Sequence, residues 1–274
     1  MNNKDTIHMS IKEFKENGYK VIDWIADYYE NIESYPVLSK IKPGELRKGL
    51  PKKPPKEGES FINILSDMND KIIPGVTHWQ SPNFFAYFPC NSTGPAILGD
   101  LLSSGLGIQG MLWASSPSCT ELESHVLDWL VDMLHLPKKF KSDTLGGSVI
   151  QDTASSATLC ALIAAREKIS NGKINENGFD NSIRVYTSTE AHSSIEKAVK
   201  IAGIGSNNIR LVEVDQDFSM DPVKLRKAIN MDIKNGKTPA FVCATIGTTS
   251  STAIDPLEEI GKICDEFGIW LHVD

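Results

Sequence analysis

The chain has 274 residues, of which 41% are hydrophobic and 23% are charged, and its formal net charge is −7 at pH 7. This composition is typical of a globular protein with one or two domains and a sizeable core. The negative charge disfavours nucleic acid and anionic membranes as partners, and no apolar run approaches the roughly 18 residues of a membrane span. The first residues, Met1–Asp5, lack the apolar core of a signal peptide, so we expect a cytoplasmic protein.

The five cysteines are odd in number and scattered, and none belongs to a Cys-x-x-Cys pair. This usage favours reduced thiols over a disulfide framework or a zinc site, so we expect no bound metal. The cysteines are Cys90, Cys119, Cys160, Cys243 and Cys264.

The N-terminal third predicts helices joined by a proline-rich connector. Ser10 followed by Glu13 is typical of a capping box, and apolar residues at helical spacing follow until Pro36. Five prolines between Pro36 and Gly58 predict an extended connector, in which we interpret the basic run Lys52–Lys56 as solvated linker. Further helical patterns cover residues 60–72, 94–106 and 119–134.

From about residue 145, short β-branched segments alternate with amphipathic ones. This alternation is typical of an α/β fold with a mainly parallel sheet and flanking helices. We expect an N-terminal helical arm and linker over 1–83 and an α/β domain over 84–274. The predicted strands are 184–188, 210–214, 240–246 and 269–273, and the predicted helices are 155–169, 193–203, 222–234 and 256–267.

Polar residues follow several of these strands at the carboxyl edge of the predicted sheet, where ligands bind in open α/β sheets. His192 follows the first strand, Thr248-Thr249 follow the third, and Asp274 ends the fourth. The run Asp152–Ser156 opens a helix after Gly146-Gly147, and the free N–H groups of a helix start bind phosphate. Taken singly, the helix start at Asp152–Ser156 and His192 are more often a helix cap and a structural side chain, and Asp274 is as often a cap for a following helix. Only the convergence of these features on one edge favours a ligand site.

The ligand that this set favours is pyridoxal phosphate (PLP). The chain has neither the G-x-G-x-x-G turn of a dinucleotide site nor the G-x-x-x-x-G-K-[ST] loop of a triphosphate site. PLP needs a phosphate cradle, a partner that stacks on its ring, and an acid beside its pyridine nitrogen. The aromatic segment Phe84–Pro89 is compatible either with core packing or with the wall of a ligand pocket.

At these residues the chain resembles the group II PLP-dependent decarboxylases, most closely their aromatic-L-amino-acid branch. The resemblance covers most of residues 80–274 in family order. It implies the aspartate-aminotransferase-like fold, PLP fold type I, in a homodimer that decarboxylates an aromatic L-amino acid to the amine and CO2. The matching stretches are FFAYFP (84–89), WASSPSCTELE (113–123), VIQDTASSATL (149–159), EAHSSIEKA (190–198), ATIGTTSSTAID (244–255) and IWLHVD (269–274).

The resemblance also implies roles for individual residues. Ala154 and Ser155 bind the cofactor phosphate, His192 stacks on its ring, Thr249 lines its pocket, and Asp274 pairs with its pyridine nitrogen. The resemblance places Gln109 and Met111 where they reach the neighbouring subunit's site. The implied substrate wall consists of Trp79, Tyr87, Phe88, Pro89 and Cys90.

Some features keep alternatives open. Cys90 and Met111 stand where the aromatic branch often has threonine and an aromatic residue. An acidic substrate would need a basic pocket residue, which 84–89 does not supply, and His192 disfavours an aldehyde-forming deaminase. The family's PLP-binding lysine, its proton-donating tyrosine loop and further sheet strands are implied to follow Asp274. This length alone is therefore expected to be inactive, either a fragment or a remnant that only dimerises or binds cofactor.

Overall fold

The computed structural model of the chain describes residues 9–88, 90 and 92–274. Two compact units are distinguished, Met1–Leu102 and Ser103–Asp274. Each is described by itself below.

The first unit opens with helix α1 (Ile11–Glu30), which begins at the predicted capping box. The Glu13 N–H donates to Ser10 Oγ over 3.2 Å, and the Ser10 N–H donates to the Glu13 carboxylate over 2.8 Å. These two bonds satisfy N–H groups that a helix start leaves without partners. The chain leaves the helix well before Pro36, through a short 3-10 turn at Ile32–Ser34.

The predicted connector is mostly extended, but it contains a five-residue helix, α2 (Glu45–Gly49), that the sequence analysis did not predict. The Glu45 carboxylate accepts a hydrogen bond from the Lys42 N–H over 2.8 Å and so closes the turn that starts α2. Lys52, Lys53 and Lys56 are exposed. The predicted helix at 60–72 is α3 (Phe61–Asp67), continued by a π-helical turn at Met68–Ile72, and α4 (Gly94–Leu106) has the predicted bounds.

The second unit contains a four-stranded parallel sheet in the order β2-β1-β3-β4, as the alternating pattern predicted. The short helix α7 was not predicted, and it follows Asn171, whose left-handed backbone ends α6. The elements are α5 (Pro117–Met133), α6 (Ala154–Ser170), α7 (Lys173–Asn177), β1 (Ile183–Ser188), α8 (Ser194–Ile201), β2 (Ile209–Val212), α9 (Pro222–Lys234), β3 (Thr238–Ala244), α10 (Leu257–Phe267) and β4 (Trp270–Val273).

Two of the strands end earlier than predicted, both at the carboxyl edge. Val214 forms an isolated antiparallel bridge with Met220, and Ile246 forms one with Ile254. Residues with strand-like sequence therefore pair locally beyond the end of each parallel strand. These local pairs fold the loops after β2 and β3 back over the edge.

The core lies on both faces of this sheet. Alternate strand residues point to opposite faces, so Val185 and Phe241 pack on the α6/α8 side while Tyr186 and Val242 pack on the α9/α10 side. All four side chains are fully buried. Strands covered on both faces are expected for a parallel sheet, and this packing fixes which strand residues reach the α6 face.

Candidate functional site

The strand order places a crevice between β1 and β3. The chain leaves β1 toward β2 on one side and leaves β3 toward β4 on the other, so the loops after these neighbouring strands diverge. Ligands of open α/β sheets bind at such a switch point, outside the carboxyl ends of the strands. His192 lies in the loop after β1, and Thr249 lies in the loop after β3.

The phosphate cradle was predicted at the start of α6. Thr153 caps the helix, with its hydroxyl accepting from the Ser156 N–H over 3.2 Å. The Ser156 hydroxyl also bonds to the Asp152 carboxylate. The N–H groups of Ala154 and Ser155 have no acceptor among the described residues, and both residues are exposed. Two free N–H groups at the positive end of a 17-residue helix suit an anion.

His192 is exposed, and its ring orientation is fixed from one side. The Ser194 N–H donates to His192 Nδ1 over 3.2 Å, and the Ser194 hydroxyl lies 2.9 Å from the same nitrogen. An Nδ1 that accepts from a backbone N–H leaves the proton of the neutral ring on Nε2. Stacking on a flat ligand requires access to one ring face, and His192 as a residue is exposed.

The loop after β3 is a closed turn that holds Thr249 half-buried. The N–H groups of Gly247 and Thr248 both donate to the Ala253 carbonyl, over 3.0 and 3.1 Å. The Thr248 hydroxyl accepts from the Ala253 N–H over 3.1 Å and lies 2.6 Å from the Ser251 hydroxyl. These hydrogen bonds restrict the backbone conformation on both sides of Thr249.

Asp274 continues the line of β4 at the carboxyl edge. Its N–H donates to the Ala244 carbonyl and its carbonyl accepts from the Ile246 N–H, both over 2.8 Å. Alternation along β4 puts its side chain on the same face as His272, the face that α6 covers. Its carboxylate is half-buried and takes part in none of the ion pairs among the described residues.

The chemical character of these groups fits PLP. A pair of free N–H groups suits the phosphate, an oriented imidazole face suits the ring, and an unpaired carboxylate suits the pyridinium nitrogen. The Thr245 hydroxyl, just after β3, is buried and has no hydrogen-bond partner among the described residues. A buried polar atom without a partner is uncommon and is consistent with an edge built to hold a polar ligand.

The predicted aromatic wall belongs to the first unit and centres on Trp79. The Trp79 ring packs on Phe84 with centroids 4.6 Å apart and on Tyr87 with centroids 5.9 Å apart. Phe84 is buried, whereas Tyr87 and Phe88 are largely exposed. Tyr87 has a φ of +58°, a left-handed conformation that bulky residues rarely adopt and that often marks functional sites.

The remaining predicted residues are placed as follows. Cys90 is exposed, and its carbonyl accepts from Gln80 Nε2 over 2.7 Å. The Gln109 carbonyl accepts from the Ser115 hydroxyl over 2.8 Å, and the Met111 side chain is exposed. No described contact joins Gln109 or Met111 to the groups around Asp274. Pro89 lies outside the described residues.

The structure adds residues that the sequence analysis missed. His272 contacts Thr158 of α6, and the buried Asp255 accepts hydrogen bonds from the N–H groups of Met220 and Thr245 over 2.7 and 2.8 Å. The alternation in the segment Leu271–Asp274 carried a signal for His272, because it places His272 and Asp274 on one face. Nothing comparable pointed to Asp255, whose partners are distant backbone groups.

A family model for the pyridoxal-dependent decarboxylase conserved domain matches residues 43–274, well over half of the chain. The chain belongs to the pyridoxal-dependent decarboxylase family. This membership confirms the predicted family and its PLP cofactor. No helix in the described part of the chain combines the length and the hydropathy that a membrane crossing requires.

Individual relatives are similar over nearly the whole chain. It is 47% identical to phenylacetaldehyde synthase of Arabidopsis thaliana, over 97% of this chain and 54% of that protein. It is 48% identical to tyrosine decarboxylase 2 of Narcissus pseudonarcissus, over 97% of this chain and 53% of that protein. The chain therefore spans about half the length of the curated relatives it matches.

The fold is confirmed by a solved structure of Catharanthus roseus tryptophan decarboxylase in complex with L-tryptophan. The two superpose with a TM-score of 0.91 at 44% identity, over 98% of this chain and 58% of that one. The predicted α/β fold of the group II decarboxylases is thus correct.

Proposed function

We propose that the complete protein is a PLP-dependent decarboxylase that converts an aromatic L-amino acid to the amine and CO2. The observation that carries this proposal is the convergence of the α6 start, His192, Thr249 and Asp274 on the carboxyl edge of one parallel sheet. We further propose that it acts as a cytoplasmic homodimer.

Each residue has a distinct part in this proposal. The N–H groups of Ala154 and Ser155 would hold the phosphate, His192 would stack on the ring, and Thr249 would line the pocket. Bound PLP supplies an electron sink for the electron pair that remains when CO2 leaves. The Asp274 carboxylate would keep a proton on the pyridine nitrogen, because a nearby anion favours the charged form of that nitrogen.

The aromatic substrate class is supported by the group around Trp79. The segment Phe84–Phe88 contains no charged residue, and Trp79, Tyr87 and Phe88 offer flat apolar surface. Aromatic rings pack favourably in offset or tilted pairs. An acidic substrate would instead require a buried or clustered cation, and this segment has none. We propose that Pro89, Cys90, Gln109 and Met111 complete the contacts to the substrate.

An aldehyde-forming reaction is the second candidate, favoured by the 47% identity to a phenylacetaldehyde synthase. The two reactions differ in stoichiometry. Forming the aldehyde in place of the amine is an oxidation, so the aldehyde-forming reaction consumes an oxidant such as O2.

The test is turnover of the complete protein, saturated with PLP, on L-tyrosine, L-tryptophan, L-phenylalanine and L-glutamate. We expect CO2 and amine in equal amounts from at least one aromatic substrate, without uptake of O2. Uptake of O2 with aldehyde formation would establish the second candidate. PLP binding without turnover of any amino acid would refute both and leave a role in cofactor binding.

The matched variants are Asp274→Asn and, as a control, Asp265→Asn in an exposed carboxylate of α10. Removing one preorganised electrostatic partner of a transition state costs about 100-fold or more in kcat. We expect that loss for Asp274→Asn and near-normal kcat for Asp265→Asn. Near-normal turnover of the Asp274 variant would contradict the role assigned to this carboxylate.

A further inference from the structure

His272 connects the strand that carries Asp274 to the helix whose start forms the phosphate cradle. Its Nε2 lies 3.3 Å from Thr158 Oγ1, and its ring stacks on Phe241 with centroids 5.6 Å apart and planes 25° apart. Thr158 and Phe241 are both fully buried. The imidazole is therefore held from two sides, by a hydrogen bond to α6 and by a ring on β3.

The position of this contact relates two parts of the candidate site. Thr158 lies four residues after Ala154, about one helical turn from the free N–H groups. His272 lies two residues before Asp274, on the same face of β4. A shift of the imidazole would therefore change where the carboxylate lies relative to the α6 start.

The groups that face the imidazole determine its charge. Burial holds the pKa of His272 below its ordinary value, and the Asp274 carboxylate acts in the opposite direction. From β3 the titratable neighbour is the Cys243 thiol, whose pKa is raised by burial and which stays protonated. From α6 the imidazole meets the neutral Thr158 hydroxyl. At neutral pH His272 is thus uncharged and leaves the Asp274 carboxylate unpaired.

We propose that His272 is a positioning residue that fixes the Asp274 carboxylate relative to the phosphate-binding start of α6 through its hydrogen bond with Thr158. This proposal rests on the proposed function. It also has a pH consequence. A proton on His272 at low pH would place a cation beside Asp274, which competes with the cofactor nitrogen for that carboxylate.

The test compares three single variants of the complete protein, and the double variant His272→Phe/Thr158→Val, with a control. His272→Gln keeps a hydrogen-bonding group but does not titrate, His272→Phe keeps the ring stacking alone, and Thr158→Val removes the partner hydroxyl. His125→Phe is the control, because His125 is an exposed histidine of α5 whose ring packs on Trp129. The readouts are the dissociation constant of PLP, followed by circular dichroism of the bound cofactor, and the pH profile of kcat/KM.

We expect His272→Phe and Thr158→Val each to weaken PLP binding about ten-fold or more, because a positioning contact is lost. The double variant should be no weaker than the worse single, since the two residues form one contact. His272→Gln should bind PLP within about two-fold of the natural protein. In this variant the fall of kcat/KM at acid pH should move to lower pH, because glutamine cannot take up the competing proton. His125→Phe should match the natural protein in both readouts.

Natural-like PLP affinity in both Thr158→Val and His272→Phe would overturn the proposal, as would an unchanged acid limb in His272→Gln. If His272→Phe does not fold, Thr158→Val carries the affinity test alone. Failure of the proposed function has a different signature. In that case the natural protein binds PLP without decarboxylating any amino acid, and the comparison of affinities still decides the role of His272.

Discussion

His78 is a buried titratable side chain of the first unit, only 1% exposed. Its Nδ1 lies 2.7 Å from the Tyr28 hydroxyl, and its ring stacks on Tyr35 with centroids 4.8 Å apart. Burial lowers the pKa of His78, so the folded protein binds this proton less readily than the unfolded chain does. The neutral form of His78 therefore stabilises the folded state. This contribution to the free energy of unfolding is complete above the unfolded pKa of about 6.5 and is lost as pH falls through the folded pKa.

We therefore expect the melting temperature of the protein to fall between pH 7.5 and pH 5, and to fall less in a His78→Gln variant. His272 has a lowered pKa too and contributes with the same sign. A His272→Gln variant measured in parallel separates the two contributions. Equal slopes in the natural protein and the His78 variant would show that His78 does not contribute.

At the scale of elements, Asp232 of α9 ties that helix to β1 and β2. Its carboxylate accepts from the Tyr186 hydroxyl over 2.9 Å and from two nitrogens of Arg210 over 2.8 and 3.0 Å. Arg184 Nε lies 3.7 Å away, and Arg184 and Asp232 are both nearly inaccessible to solvent. Burial, together with the Asp232 charge, raises the pKa of Tyr186, so its hydroxyl remains a donor.

We expect Asp232→Ala to lower the free energy of unfolding by about 3–5 kcal/mol, because it leaves a buried guanidinium without its counter-charge. The exposed pair Arg226–Glu266, which joins α9 to α10 at 2.8 Å, is the matched control. Glu266→Ala should cost about 0–1 kcal/mol. Urea unfolding measures both free-energy changes, provided that the dependence on urea concentration has the same slope in each variant. Similar shifts of the urea midpoint for the two variants would contradict the structural role of Asp232.

Local sequence rules predicted most elements because the elements carry local signals. The capping box of Ser10 and Glu13 fixed the start of α1, and Pro222 after the capping Asp221 fixed the start of α9. The ends of β2 and β3 were missed because Ile246 and Val214 have strand-like sequence but pair with loop residues. Such pairing depends on how the chain returns over the edge, which periodicity does not encode.

The same limit applies to the candidate site. The residues His192, Thr249 and Asp274 follow strands, so their place at one edge follows from the order of elements alone. Contacts across the fold, such as His272 with Thr158 over 114 positions of sequence, depend on packing between elements. The sheet order puts β1 next to β3, and this order brings together the loops that follow these two strands.

At the scale of the whole molecule, each unit carries apolar side chains that its own fold does not cover. Phe14 of α1 is 60% exposed in the first unit, and Trp129 of α5 is 56% exposed in the second. Exposed apolar area of this kind is typical of protein–protein interfaces. We expect the complete protein to sediment as a dimer at micromolar concentration, and a monomer at that concentration would contradict the proposed homodimer.

The sheet order also has a consequence for synthesis. Tyr186 of the central strand β1 pairs with Arg210 of β2, 24 residues later, but with Val242 of β3 only 56 residues later. The 32 residues between those two partners take about 2–6 s to translate at roughly 5–20 residues per second. During that interval the nascent chain has one edge of its most buried strand unpaired. An aggregating neighbour or a chaperone would meet this edge first.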